Sequence, residues 1–281
     1  MTRLKTSDIA GIIPCLEQFD AELEKKTGKN LFGVACHGIG ADKNKVSRML
    51  PELTIAVIPF TCGLGVISKF CLTVKEIVAH LGFSSFVTRE TDAFGLAEAY
   101  ENSADIIMMA DDKRYIAIHL RQMKTVDNGW ATGNAFASAL DLMADGLKDK
   151  NILVTGCGPV GQAAVKTLMD FGANVSVYDP DVEKARAFSL DLLKRYKKQL
   201  KIEDSIKDIA GRYKYIVEAS TAKGIIDVDD ISQKTIITAP GVPLGITDSA
   251  VKKLGTRILH DTLQLGTATM ALKAVMEGEQ V

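Results

Sequence analysis

The sequence predicts an α/β protein made of two units, each a parallel sheet with helices on both faces, the first opened by an N-terminal helix. Three observations predict this. Apolar runs of strand length alternate with stretches of helical period, the pattern of parallel α/β folds. The alternation runs through twice, with a polar break at Lys148–Lys150. Finally, the stretch "ILVTGCGPVGQAA" sets glycines at the spacing G-x-G-x-x-G between an apolar run and a helical one.

The elements follow in order. Ser7 to Thr27 carries apolar residues at Ile9, Ile12, Ile13, Leu16, Phe19 and Leu23, a helical period with Ser7 as cap and Gly28 as stop. Pro14 is expected to kink or divide it. A polar loop leads to the strand "LTIAVIPF", the helix "VISKFCLTVKEIVAHLG" and the strand "SSFVT". Then come a helix "AFGLAEAYENS" capped by Asp92, the strand "ADIIMMADD" and the helix "TGNAFASALDLMADGL". The second unit holds the strand before the glycines, a helix to about Phe171, the strand "NVSVYD" and a helix "VEKARAFSLDLLKRYKKQ". Strands "KYIVEAS", "TIITAP" and "RILHD" and the helix "TATMALKAVMEG" complete it. The predicted organisation is a smaller three-layer α/β domain over residues 1–147 and a dinucleotide-binding domain of the Rossmann type over residues 148–281.

Composition narrows the class. Hydrophobic residues make up 47% and charged residues 25% of 281, with a formal net charge of -1, which fits a soluble globular protein and gives no basic excess for nucleic acid. The five cysteines form no C-x-x-C pair, so neither a disulfide framework nor a metal site is expected, and a reducing cytoplasm fits. No apolar stretch approaches the roughly 20 residues that span a bilayer. The oligomeric state stays open, with a homodimer as one option.

In the glycine motif Gly156 permits the turn out of the strand, Gly158 lets the backbone approach a pyrophosphate, and Gly161 lets the helix pack on the sheet. Asp179 closes the following strand roughly twenty positions on, where an acid can bond the adenosine ribose. With Asp181 beside it and no neighbouring arginine, NAD is expected rather than NADP. The alternative, that Asp179 caps the next helix, stays open. Pro159 and Val160 of the turn, with Ser220 and Pro240 at later strand ends, complete the expected cofactor contacts. Cys157 is read as a small buried residue without chemistry.

Ligands of open parallel sheets lie outside the carboxyl ends of the strands. Asp111, Asp112, Glu218 and Asp261 all fall at such ends, and grouped carboxylates suit a substrate carrying ammonium groups. Each also has a bland reading, as a helix cap or a partner of a lysine. "TCGLG", with Cys62 and Gly63, is expected to form a nest of N–H groups for a substrate carboxylate. His37, His80 and His119 are read as structural, and His260 is undecided.

The segments "IPFTCGLGVISKF", "HLGFSSFVT", "IIMMADD", "NGWATGNAFA", "ILVTGCGPVG", "APGVPLGI" and "GTATM" together resemble the PylD family of pyrrolysine-biosynthesis dehydrogenases over nearly the whole chain. The resemblance implies NAD-dependent oxidation of the terminal amine of 3-methylornithyl-N6-lysine, loss of ammonia, and cyclisation with loss of water to give pyrrolysine. It implies a substrate contact at Asp111 and catalytic roles for Asp111 and Asp261, the latter standing where the family has a glutamate. In "TCGLG" it implies that Cys62 and Leu64 replace a hydroxyl and an amide of the family's T-S-G-N-G. It also implies that the N-terminal helix beginning near Leu4 is a mobile element over the site; Leu4 and the strand-end Asp112 are expected substrate contacts. The rival readings are another amino-acid or opine-type dehydrogenase and an NAD-sensing regulator without turnover.

Overall fold

The computed structural model describes residues 4–207 and 210–276. The first unit begins with α1 (Thr6–Ile9) and α2 (Ile12–Thr27), followed by α3 (Leu31–Gly38), α4 (Lys43–Met49) and β1 (Thr54–Ile58). It continues with α5 (Phe70–His80), β2 (Ser84–Val87), α6 (Asp92–Glu101), β3 (Ile106–Ala110), β4 (Tyr115–His119), β5 (Lys124–Asp127) and α7 (Asn128–Met143). The second unit runs β6 (Asn151–Thr155), α8 (Pro159–Asp170), β7 (Asn174–Tyr178), α9 (Val182–Tyr196), β8 (Lys201–Ile202), β9 (Tyr215–Glu218) and β10 (Ile236–Ala239). It ends with α10 (Asp248–Leu254), β11 (Ile258–His260) and α11 (Gln264–Val275).

The N-terminal helix is divided at Ala10–Gly11 rather than at Pro14. Pro14 falls in the first turn of α2, where its missing N–H has no helical acceptor to lose. Gly28 stops α2 as expected, in the left-handed region at φ 72°, with its N–H on the Glu24 carbonyl. The expected polar loop contains two helices, α3 capped by the Asn30 side chain on Gly33 N–H and α4 by Asp42 on Lys45 N–H.

The first sheet has the order β2-β1-β3-β4-β5. Strands β1, β2 and β3 are parallel, but β4 and β5 return as antiparallel hairpins, so the sheet is mixed where a parallel one was expected. Its two faces are separated by the strand period: Ile55 and Val57 of β1 join the large core, whereas Ala56 and Ile58 pack with Ala99 of α6 on the other side. The second sheet is parallel throughout, in the order β11-β10-β9-β6-β7-β8. Ile152 and Val154 face Ala164 and Leu168 of α8, and Leu153 faces the side that holds Ala250 and Leu254 of α10.

Two helices tie the sheets together. In α7, Gly133 allows α8 to lie against it, since a Cβ there would come within 2.7 Å of Ala163 Cβ and of the Ala164 amide nitrogen. The last helix, α11, turns back into the core of the first unit, where Leu265, Met270, Leu272 and Val275 are almost fully buried. Both ends of α11 are held by buried charge. The Lys124 ammonium donates to the carbonyls of Lys273 (2.8 Å) and Met276 (2.6 Å), and Asp261 receives the N–H groups of the first turn. These signs match the helix dipole.

Candidate functional site

A cleft opens where the carboxyl ends of the two sheets face each other. Its second-unit wall is the glycine turn with Gly158, Pro159 and Val160, the β9 end with Ala219, Ser220 and Thr221, and the β10 end with Pro240, Gly241 and Val242. Opposite stand Phe60, Phe70, Tyr115, Asp111, Asp112 and Lys113, with Asn128 and Thr132 of α7. Leu4, Thr262 and Leu263 close one side. The N-terminal segment is held there because Thr262 Oγ1 donates to the Asp8 carbonyl at 2.9 Å.

The glycine turn has the geometry that a dinucleotide pyrophosphate needs. Gly156 leaves β6 at φ 89°, and a Cβ on it would meet the Ala219 carbonyl oxygen at 2.7 Å. Gly158 caps α8, and a Cβ there would meet nothing within 4 Å, so the backbone faces open cleft beside a helix N-terminus. Gly161 packs against the Gly156 carbonyl behind the turn. Gly156 and Gly161 shape the turn, whereas Gly158, Pro159, Val160, Ser220 and Pro240 reach the cleft itself. These residues fit a nicotinamide dinucleotide.

Asp179 is buried at the end of β7. Its carboxylate accepts from the Cys157 N–H at 2.6 Å and the Asp181 N–H at 3.0 Å, and it steadies the glycine turn. Asp181, rather than Asp179, caps α9 by accepting from Lys184 N–H at 3.0 Å. The Cys157 thiol is buried, and desolvation, aided by Asp179, pushes its pKa up to about 11. It remains a thiol at neutral pH.

Glu218 is fully buried beneath the cofactor side of the cleft. One of its oxygens accepts from Ser220 N–H (2.9 Å), Ser220 Oγ (2.5 Å) and Thr155 Oγ1 (3.4 Å), and the other from Gly245 N–H (3.2 Å). Burial pushes its pKa above the ordinary glutamate value despite these donors. It fixes the loops after β9 and β10 and does not pair with a lysine.

The acids at the other wall divide their work. Asp111 caps the β3–β4 turn, with one oxygen taking the N–H groups of Lys113 (2.7 Å) and Arg114 (2.6 Å), and these bonds hold its pKa below the usual carboxylate range. It lies exposed on the cleft wall as an anion. Asp112 turns to the "TCGLG" loop, accepting from Leu64 N–H at 2.7 Å and lying against Gly63. The nest expected for a substrate carboxylate thus receives a carboxylate of the chain itself, and Cys62 and Gly63 lie outside the cleft lining. Asp92, expected as the cap of α6, is instead its first residue, with Thr91 at the cap position, and its carboxylate serves this loop by accepting from Thr61 N–H (2.8 Å) and Thr61 Oγ1 (2.5 Å).

Asp261, expected to be catalytic, is tied to the start of α11 by its surroundings. It is 5% exposed, and its two oxygens take the N–H groups of Leu263, Gln264 and Leu265 together with the Gln264 side-chain amide. It receives the backbone N–H groups where α11 begins and is not among the cleft-lining residues. His260 binds the Ala239 carbonyl through Nδ1 at 2.7 Å and also lies outside the lining. His37 and His80 pair with Asp141 and Asp20, and His119 is buried. No group of histidine, cysteine and acidic side chains among the described residues is arranged to hold a metal.

Several lining residues escaped the sequence reading. Asn128 and Thr132 share one face of α7 at i, i+4 spacing, a signal the sequence contained directly after the cap Asp127. Tyr115 carried only its strand alternation; its hydroxyl meets Thr267 Oγ1 at 3.2 Å and its ring packs edge-on to Phe70. Burial raises its pKa, which keeps the phenol protonated.

Residues 8–126 match the family model described as the pyrrolysine biosynthesis protein PylD, N-terminal domain. The "Pyrrolysine synthase" of Methanosarcina acetivorans is 30% identical over 272 residues, 96% of this chain and 98% of that protein. The chain belongs to the pyrrolysine synthase (PylD) family. A second member, from Methanosarcina barkeri, is 29% identical over 96% of this chain and 97% of its own length. Residues 143–250 of this PylD-family chain match a model described as putative NAD(P)-binding.

Solved structures share the PylD fold at low identity. Quinate dehydrogenase from Corynebacterium glutamicum in complex with NAD aligns with a TM-score of 0.56 at 15% identity, covering 79% of this chain and 93% of that one. Shikimate dehydrogenase from Aquifex aeolicus gives 0.54 at 18%, covering 82% and 94%. The PylD-family chain is an NAD(P)-dependent dehydrogenase. No helix among its described residues is long and apolar enough to cross a membrane.

Proposed function

We propose that the chain uses NAD to oxidise the terminal primary amine of 3-methylornithyl-N6-lysine, the step that leads to pyrrolysine. The observation that carries this reading is the cleft itself, with the glycine turn on one wall and the anionic Asp111 on the other. NAD supplies the acceptor for the hydride of the amine-bearing carbon. The imine, formed as the ammonium also gives up two protons to water, takes up water and releases ammonia. The semialdehyde that remains condenses with the neighbouring α-amine, and water leaves.

The chain's own contribution is binding and placement. The Phe60, Phe70 and Val66 side chains give the substrate's aliphatic stem an apolar wall, and the ammonium end pairs with the free oxygen face of Asp111. Leu4 and Leu263 exclude water from the side. Asp112 and Asp92 hold the "TCGLG" rim by its backbone, so the rim serves the substrate as a shaped edge. Asp261 has no part in the chemistry.

The test is NADH formation with the purified chain and the methylornithyl-lysine dipeptide, with lysine and ornithine as controls. Asp111→Asn keeps the oxygen that the turn needs, so the fold should melt as before while kcat/KM falls by on the order of tenfold. Equal turnover of lysine or ornithine would overturn the substrate assignment. An unaltered kcat/KM in Asp111→Asn would remove this acid from the substrate contact.

A further inference from the structure

We infer that Lys184 sets the cofactor selectivity of this chain, admitting a 2′-phosphate beside Asp179 so that NADP binds as well as NAD. The inference rests on the reading of the cleft as a dinucleotide site. A bare carboxylate at the end of this strand accepts the ribose hydroxyls and repels a 2′-phosphate. Asp179 is not bare. Its oxygens are engaged by two backbone N–H groups, and the Lys184 ammonium stands 3.5 Å from one of them.

Lys184 is placed for this role by the start of α9. Its own N–H is held by the capping Asp181, which fixes the root of the side chain in the first turn of α9, beside Asp179. The side chain is 45% exposed, so the ammonium remains open to a ligand while Asp179 is almost closed off. The other cation of this turn, Arg186, is drawn to Glu183 at 2.6 Å. The sequence has no arginine beside Asp179, yet the helix brings a lysine from five positions further along the chain into its place. With Lys184 offsetting the charge of Asp179, a 2′-phosphate meets a cation where the acid alone would exclude it.

Isothermal titration of the full chain with NADH and NADPH tests this without turnover. NADPH should bind the unaltered protein measurably, and Lys184→Ala should weaken NADPH at least tenfold more than NADH, which is about 1.4 kcal/mol of selectivity. Lys184→Arg should keep NADPH binding. A selectivity ratio that is the same in Lys184→Ala as in the unaltered chain overturns the inference. Failure of both nucleotides to bind the unaltered protein overturns the dinucleotide reading beneath it.

Discussion

Replacing Asp261 by alanine separates a helix cap from a catalytic acid. The carboxylate holds the Leu265 N–H at 2.7 Å and the Gln264 amide at 2.9 Å, with longer bonds of 3.2 and 3.3 Å to two further N–H groups. Loss of an N-cap costs about 0.5–2 kcal/mol, and a buried donor left without an acceptor about 1–3 kcal/mol. The two short bonds carry most of this, because the long ones share an oxygen and are weaker. The site is 5% exposed, so water replaces the carboxylate poorly. Together these terms give about 3–4 kcal/mol for Asp261→Ala. For a chain of this size that is a fall in Tm of roughly 10 °C. Asp261→Asn keeps one acceptor but turns an amide N–H₂ toward a donor, and should lie between. The assay is a thermal melt beside kcat measured well below the transition, where kcat should stay within about twofold for a cap that touches no reacting atom. A variant that melts as the unaltered protein does but loses turnover would refute the capping argument and return Asp261 to the chemistry.

Gly158→Val should leave the melt unchanged or nearly so, because its Cβ meets no protein atom, while calorimetry shows NADH binding lost as the side chain fills the pyrophosphate path. Retained NADH binding in the folded variant would refute the assignment of the turn. Glu218 should give stability a pH dependence of its own. Its native pKa lies above the unfolded value, so between the two the folded chain keeps a proton that the unfolded chain has lost, and stability falls as pH rises through that window. Denaturation midpoints across the weakly acidic to neutral range should show this fall in the unaltered chain and a flatter profile in Glu218→Gln; parallel profiles would count against it.

What the sequence made legible follows the range of the forces involved. The glycine turn could be read because each of its glycines answers a local backbone demand, and β6 and β9 because their buried strands carry continuous apolar runs. The helices α3 and α4 were hidden by short length and by the Gly, Asn and Asp residues around them, although Asn30 and Asp42 were standing as caps. The β3–β4 and β4–β5 hairpins left only the short apolar run "YIAIH" as their signal, which a search for βαβ units passes over. For the acids, sequence position gave the strand end but not the direction of the side chain. Asp111, Asp112 and Asp261 all stand at such ends, and three different sets of backbone N–H groups claim them. Lys184 lay beyond view for a related reason, since it reaches Asp179 only through the turn of α9.

The absence of a side chain at Gly133 has a kinematic consequence. Because α7 and α8 are in near backbone contact there, the start of α8 cannot swing from α7 about a hinge; the glycine turn and the α7 residues Asn128 and Thr132 travel as one rigid piece. The distance from the glycine turn to Asn128 and Thr132 is then a fixed length, set by the packing of the two helices. Opposite this piece stand the Leu4 segment, held where Thr262 Oγ1 donates to the Asp8 carbonyl, and the Thr61–Gly65 rim, held by Asp92 and Asp112.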